Sequence, residues 1–192
     1  MKPRLQVVRR GEATATRWKN GGGVTHELAT WPPGAGIDGF DARLSMAEVA
    51  AEGPFSTFPG IDRTLGMIDG GPMVLSFGAG SPDVTLMADG PPLPFPGEAP
   101  VHARLQSGPV LDLNIMTRRG MMAHRMVALR PGDALPPGTV AAVARGAATA
   151  CGVALQAGDA IIAGDTLAGT VEDGSLLAVV LDCLPKRQVR PA

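Results

Sequence analysis

Glycine and proline cut this chain into short pieces, and most pieces alternate apolar with polar residues. Turn signals stand at Gly21-Gly22-Gly23, Pro32-Pro33-Gly34, Pro59-Gly60, Asp69-Gly70-Gly71, Pro131-Gly132-Asp133 and Asp173-Gly174. Between them period-2 runs recur and helical periodicity is scarce, the pattern of many short strands in a sandwich or barrel. The spacing predicts strands at 6–9, 24–31, 40–47, 64–69, 73–77, 84–87, 101–105 and 110–117. Further strands are predicted at 123–128, 139–145, 150–154, 159–162 and 176–181. Residues 47–52 read as a short helical turn. The proline-rich segment 89–100 reads as a stiff loop, because proline cannot donate to an interior ladder.

The 26 glycines and 18 prolines, 44 of 192 residues, stop just short of the ~25–30% range in which disorder is the first expectation. An apolar content of 45% supports a real core instead. The formal net charge of −1 gives neither a nucleic-acid surface nor a membrane-binding one. The basic pairs Arg9-Arg10, Arg118-Arg119 and Lys186-Arg187 are short enough to be solvated clusters. No apolar run is long enough to span a bilayer, and MKPRLQVVRR lacks the apolar stretch of a signal peptide. With two cysteines, Cys151 and Cys183, read as buried free thiols, the expected compartment is the cytoplasm.

Beyond about Arg119 the aromatics vanish and alanine rises. We therefore divide the chain into a first unit, 1–118, and a second, smaller unit, 119–192.

Three stretches carry unusual polar content. The first runs from Trp18 through Lys19, Asn20 and the glycines to Thr25, His26 and Glu27. A phosphate cradle is disfavoured there, since no Gly-Lys-Ser/Thr follows and no helix begins. The second is Phe40–Ala47, where alternation puts Asp41, Arg43 and Ser45 opposite Phe40, Ala42, Leu44 and Met46. It leads into Gly53–Arg63, a corner with two Phe that ends in Asp62-Arg63. The third is Leu111–Arg118, with Asp112, Asn114 and Arg118 on one face. A single alternating strand needs nothing more than one wet face. Three of them beside a glycine-rich loop favour a lumen holding one small ligand. Arginine in such a lumen suits bidentate recognition of a carboxylate.

WKNGGGVTHEL, FDARLSMAEV with GPFSTFPGIDR, and LDLNIMTRRG together resemble the HutD/Ves family across residues 16–120. The resemblance implies an all-β bicupin: two cupin-like antiparallel β-barrels packed in one compact body. It also implies a role in histidine utilisation, with a small anionic metabolite such as urocanate or N-formylglutamate as ligand and no established catalysis. The matching polar positions are Lys19, Asn20, Thr25, Glu27, Arg43, Ser45, Asp62, Arg63, Asn114 and Arg118. Of these, Asn20, Thr25, Glu27, Arg43, Ser45, Asp62, Arg63 and Asn114 form the candidate ligand site. Two positions depart from the family pattern: Ala42 stands where an aromatic is common, and His26 where a basic residue is common.

Metal is not expected, and no cofactor is expected. His26, His102 and His124 lack the close His-x-His pair of metal-binding cupins, and each reads as a surface residue or a single structural hydrogen bond. The leading reading is a metal-independent binding protein. The alternative is a metal-free isomerase or hydrolase acting on a histidine-pathway acid, with Glu27 as base and the Glu27–Arg43 pair in the lumen. A third reading is an interaction module using 89–100 or Arg118-Arg119. A homodimer is compatible with all three.

Overall fold

The computed structural model describes residues 5–19, 21–78 and 80–184. Among these residues there is no α-helix, only a single 3-10 turn at Arg10–Glu12. The first part of the chain supplies β1 (Leu5–Val8), β2 (Thr14–Arg17), β3 (Gly23–Trp31), β4 (Ala42–Val49), β5 (Gly53–Pro54) and β6 (Ile61–Gly70). There follow β7 (Met73–Ser76), β8 (Val84–Leu86), β9 (Leu93–Pro96), β10 (His102–Leu105) and β11 (Val110–Arg118). The last part supplies β12 (Met122–Leu129), β13 (Thr139–Ala144), β14 (Ala148–Ala150), β15 (Val153–Leu155), β16 (Ala160–Ala163), β17 (Val171–Asp173) and β18 (Leu176–Cys183).

These strands form four sheets, paired as two cupin-like sandwiches. The first sandwich sets the six-stranded sheet β2-β3-β4-β11-β6-β9 against the four-stranded sheet β5-β10-β7-β8. The second sets β1-β16-β13-β18-β12 against β15-β14-β17. Among the described residues neither pair of sheets joins into a continuous hydrogen-bonded barrel, so each unit is an open sandwich rather than a closed cylinder. The chain passes from one sandwich to the other at the turn after β11. The exception is β1, placed by sequence in the first unit, which pairs antiparallel with β16 from Leu5↔Ala163 to Val8↔Ala160.

Alternation explains how the layers stack. Leu44 and Met46 of β4, with Leu113 and Ile115 of β11, leave the back of the six-stranded sheet. They meet Met126, Val143, Leu177 and Val179 of the second sandwich in one apolar cluster. Each such side chain contributes roughly 1.5–3 kcal/mol when fully buried. Gly66 in β6 makes this approach possible. A Cβ there would stand 2.7 Å from both Leu177 Cδ1 and Met126 Sδ.

Four local expectations are corrected. Residues 47–52 do not turn helically; β4 continues to Val49, because Val49 is itself a buried core residue. The stiff segment 89–100 contains an edge strand, β9, hydrogen-bonded to β6. An outer strand tolerates proline, whose missing donor then faces away from the ladder. The single strand expected at 150–154 is broken at Cys151-Gly152, both with positive φ (53° and 73°), giving the hairpin β14–β15. Cys151 and Cys183 are both free, and Cys183 is exposed, not buried.

Candidate functional site

The front of the six-stranded sheet carries the polar alternates of four adjacent strands, and the ladder register aligns them in rows. Glu27 of β3 pairs with Ser45 of β4, Ser45 with Asn114 of β11, and Asn114 with Leu65 of β6. One row toward the corner loop lie Arg43, Met116 and Arg63; one row the other way lie Thr25, Ala47, Asp112 and Met67. Rows two residues apart share a face, so these side chains converge. Both carboxylates sit beside a bulge: the β3–β4 register shifts between Glu27 and Ala29, and the β11–β6 register between Leu111 and Asp112. Bulges re-aim side chains and are common beside functional sites.

Above this floor is a cavity of about 790 Å³, walled by the segment Thr16–Lys19, by Pro54, Phe55, Ser56 and Phe58 of the corner loop, and by Ile37 at the mouth. Trp18 closes one side. Its Nε1 donates to Thr25 Oγ1 at 2.8 Å. A Cβ on Gly23 would meet the Trp18 ring at 3.1 Å and collide with the Glu48 carbonyl, which is why glycine stands there. Gly21, with φ 73°, turns the chain so that its amide donates to the Trp18 carbonyl at 3.0 Å.

Two arginines face the cavity in different states. Arg43 is held from one side: Nε donates to Glu27 Oε2 at 2.9 Å and Nη1 to Ser45 Oγ at 3.4 Å. Among the described residues its Nη2 makes no hydrogen bond. Arg63 is 6% exposed and is caged by the rings of Phe55, Phe58 and Phe95, whose centroids lie 5.3, 5.6 and 5.1 Å from its guanidinium carbon. Nη1 donates to the Ser56 carbonyl at 3.2 Å, and Nε is buried with no hydrogen-bond partner. Burial pulls its pKa down to about 10; Asp112 opposes that shift and Arg43 adds to it. It therefore stays a cation at neutral pH.

Asp112 is 2% exposed, and its Oδ1 also lacks a hydrogen-bond partner. Burial pushes its carboxyl up to about 7, against the pull of Arg63 and the Ala47 amide. Asn114 Oδ1 is a third buried atom left without a partner. The charged lining is four cations (Arg17, Lys19, Arg43, Arg63) against two carboxylates (Glu27, Asp112), in a chain whose net charge is −1. Arg63 Nε is the one unmet donor among these three atoms, and an anion suits it and the net-positive lining; Asp112 Oδ1 and Asn114 Oδ1 are acceptors that an anion's oxygens do not satisfy.

Of the candidate residues, Thr25, Glu27, Arg43, Ser45, Arg63 and Asn114 line this cavity. Asp62 does not. As the strand neighbour of Arg63 it points to the other face, where Arg119 donates to its Oδ1 from Nε (2.9 Å) and Nη2 (2.8 Å). Asn20 lies outside the described residues. Arg118 donates to the carbonyls of Asp38 and Phe40, tying down the loop before β4 instead of reaching the cavity. Asp112 was outside the candidate set, although its parity with Asn114 was the signal for it. Phe55 and Phe58 read in sequence only as a packed corner.

Among the described residues no group of three or more His, Cys, Asp and Glu side chains is placed to hold a metal ion. His124 corrects the expectation of at most one structural hydrogen bond. Thr64 Oγ1 lies 2.8 Å from its Nε2 and Thr117 Oγ1 2.7 Å from its Nδ1, at the seam where β12 crosses β6 and β11. Burial holds its pKa below the ordinary imidazole value.

Fold and site together define a double cupin-like sandwich with a polar, cationic cavity set in its first half. The chain belongs to the HutD family, whose model matches residues 10–180. It is 41% identical over 103 residues to Protein Ves of Cronobacter sakazakii, covering 53% of this chain and 54% of that protein. It is 36% identical over 121 residues to an uncharacterized 21.2 kDa protein in the hutC 3′ region of Pseudomonas putida, covering 58% of this chain and 57% of that protein. The chain thus spans about half the length of the curated relatives it matches. Among solved structures it superposes on HutD from Pseudomonas fluorescens with a TM-score of 0.81 at 28% identity, covering 94% of this chain and 100% of that one.

Proposed function

We propose that this chain is a metal-independent binding protein for a small carboxylate metabolite, acting in histidine utilisation in the cytoplasm. The observation that carries the reading is Arg63: a caged guanidinium in the cavity lining, whose Nε is buried and makes no hydrogen bond. A buried charge of this kind costs several kcal/mol unless an opposite charge meets it. An incoming carboxylate meets it, and Arg43 Nη2 lies on the same cavity row to take the second oxygen. Ser45 and Asn114 orient the rest of the molecule. The hutC neighbourhood of the P. putida relative and the HutD family match support the pathway. They make urocanate and N-formylglutamate the first acids to test. Two free cysteines suit a reducing compartment.

Glu27, the base of the catalytic alternative, is engaged by Arg43 Nε. That bond occupies one of its two carboxylate oxygens, and the other can still accept a proton.

Thermal-shift and calorimetric titration of the chain with urocanate and N-formylglutamate tests the reading. A ligand at 100 times its Kd adds about 2.7 kcal/mol of stability, which for a chain of this size is a rise in Tm of roughly 5–10 °C. Arg43→Ala removes a charge-assisted hydrogen bond and leaves Glu27 uncompensated, so affinity falls roughly 10- to 150-fold. An undiminished shift in Arg43→Ala contradicts this site.

A further inference from the structure

Asp112 has no place in the carboxylate reading, yet it lines the cavity that holds Arg63 and Arg43. Its side chain is buried and its Oδ1 has no hydrogen-bond partner. Two groups offset its charge: Arg63 acts on it from β6, and the Ala47 amide of β4 hydrogen-bonds to it. The other charged groups of the lining are differently engaged. Glu27 of β3 and Arg43 of β4 are bonded to each other, and Arg17 and Lys19 stand exposed in the wall. Among the described residues no histidine or cysteine lines the cavity. His26 alternates with Thr25 and Glu27 and so points to the opposite face. His124 is bonded to Thr64 and Thr117, which alternate with Arg63 and Met116 and point the same opposite way.

A carboxylate that settles beside Arg63 changes the surroundings of Asp112 twice. It neutralises the cation that favours the ionised Asp112, and it adds a like charge where burial weakens screening. Both changes favour the neutral carboxyl. Protonation also gives Asp112 an O–H donor in place of one acceptor and removes its repulsion of the incoming oxygens. The effect acts through space and needs no contact between ligand and Asp112.

Resting on the carboxylate-site reading, we infer that the cavity binds its acid together with a proton, and that Asp112 is the residue that takes the proton up. The proton comes from solvent, so the acid is held more tightly at low pH and released as pH rises.

Calorimetry of the full chain with N-formylglutamate between pH 6 and pH 9 tests the inference. This probe is suited because its carboxylates stay ionised and its amide neutral over that range. The free Asp112 carboxyl titrates at about 7. A rise of about one unit on binding weakens affinity roughly tenfold from pH 6 to pH 9 and takes up about half a proton at pH 7.5. The proton is counted from the change in binding enthalpy between phosphate and Tris, buffers of different ionisation enthalpy. Asp112→Asn stands in for the neutral carboxyl: affinity at pH 6 is expected within about threefold of wild type, and the pH slope and buffer dependence disappear. A merely structural role for Asp112 would weaken binding at every pH and keep the buffer dependence. Should the variant fail to fold, carboxyl-carbon NMR of wild-type protein labelled at aspartate decides. One aspartate titrating near pH 7 is expected to move its midpoint upward when the probe is added, and no movement overturns the inference. Binding without proton uptake, or uptake that survives in Asp112→Asn, overturns it and leaves the carboxylate site standing. Absence of binding at every pH overturns both.

Discussion

The two sandwiches share an architecture and differ in what fills the space between their sheets. In the second, Leu129, Leu135, Leu155, Leu167 and Val171 pack with a bed of alanines, Ala142, Ala144, Ala148 and Ala150, in one apolar cluster. Its strand β13, TVAAVA, is buried on both faces, with Ala141 and Val143 packing toward the first sandwich and Ala142 and Ala144 inward. In the first sandwich only one end is packed so, around Leu65, Met73, Leu75 and Phe95. The other end is the cationic cavity with three unmet buried polar atoms. The same sheet pairing thus serves as scaffold in one half and as container in the other. Alanine and valine at inward positions pack the second half, while arginine and asparagine at inward positions of the first line a cavity.

Substitutions should separate container from scaffold, and the largest effect is expected at Arg63. Arg63→Met removes the caged cation and keeps an apolar side chain for the Phe55–Phe58–Phe95 cage. Carboxylate affinity should fall 100-fold or more by calorimetry, while Tm stays or rises, since a buried charge short of partners is gone. A loss of both affinity and Tm would make Arg63 a structural residue.

The reciprocal change is Leu155→Ala in the second half. It opens a cavity and should cost about 2–5 kcal/mol in denaturant unfolding, with affinity of the folded protein unchanged. Gly66→Ala should cost about 1–3 kcal/mol through overpacking against Leu177 and Met126, again without touching affinity. An affinity change in either variant would mean that the halves are coupled.

Asp112 gives a smaller, pH-dependent effect. Its folded carboxyl titrates near 7, above the ordinary carboxylate value near 4. The folded state therefore favours the protonated form: the contribution is fully present below about pH 4 and is lost as pH rises through 7. Asp112→Asn removes that loss. Its Tm relative to wild type should be higher at pH 8 than at pH 5. A difference independent of pH would place the carboxyl in a less buried setting. The least effect is expected from Arg119→Ala, measured as a change in Tm, since its partners Asp62 and Glu98 are solvent-exposed and exposed pairs contribute little.

Much of this contrast was legible before the structure. Alternation alone puts Arg43 and Ser45 on one side of β4 and Asp112 and Asn114 on one side of β11, because a strand's side-chain period is 2. The loss of aromatics and the rise of alanine after Arg119 likewise set the second half apart. What was not legible depends on non-local pairing. β1 crosses to β16, and no local pattern shows which sheet an N-terminal strand joins. Asp62 and Arg63 entered as a pair, yet adjacent strand residues point to opposite faces, and the competing signal of a charged turn hid that rule. The edge strand β9 was obscured by its prolines, which only a sheet rim accommodates. The cage around Arg63 draws Phe95 from that same strand, so it could not be read from the corner loop alone.

The central claim is that the hollow end of the first sandwich is a carboxylate site. A crystal structure of the chain grown with saturating N-formylglutamate or urocanate tests it most directly. The account predicts carboxylate oxygens within hydrogen-bond distance of Arg63 Nε and Arg43 Nη2, with the second sandwich unoccupied. Ligand bound elsewhere, or a cavity still without it at saturation, would contradict the claim.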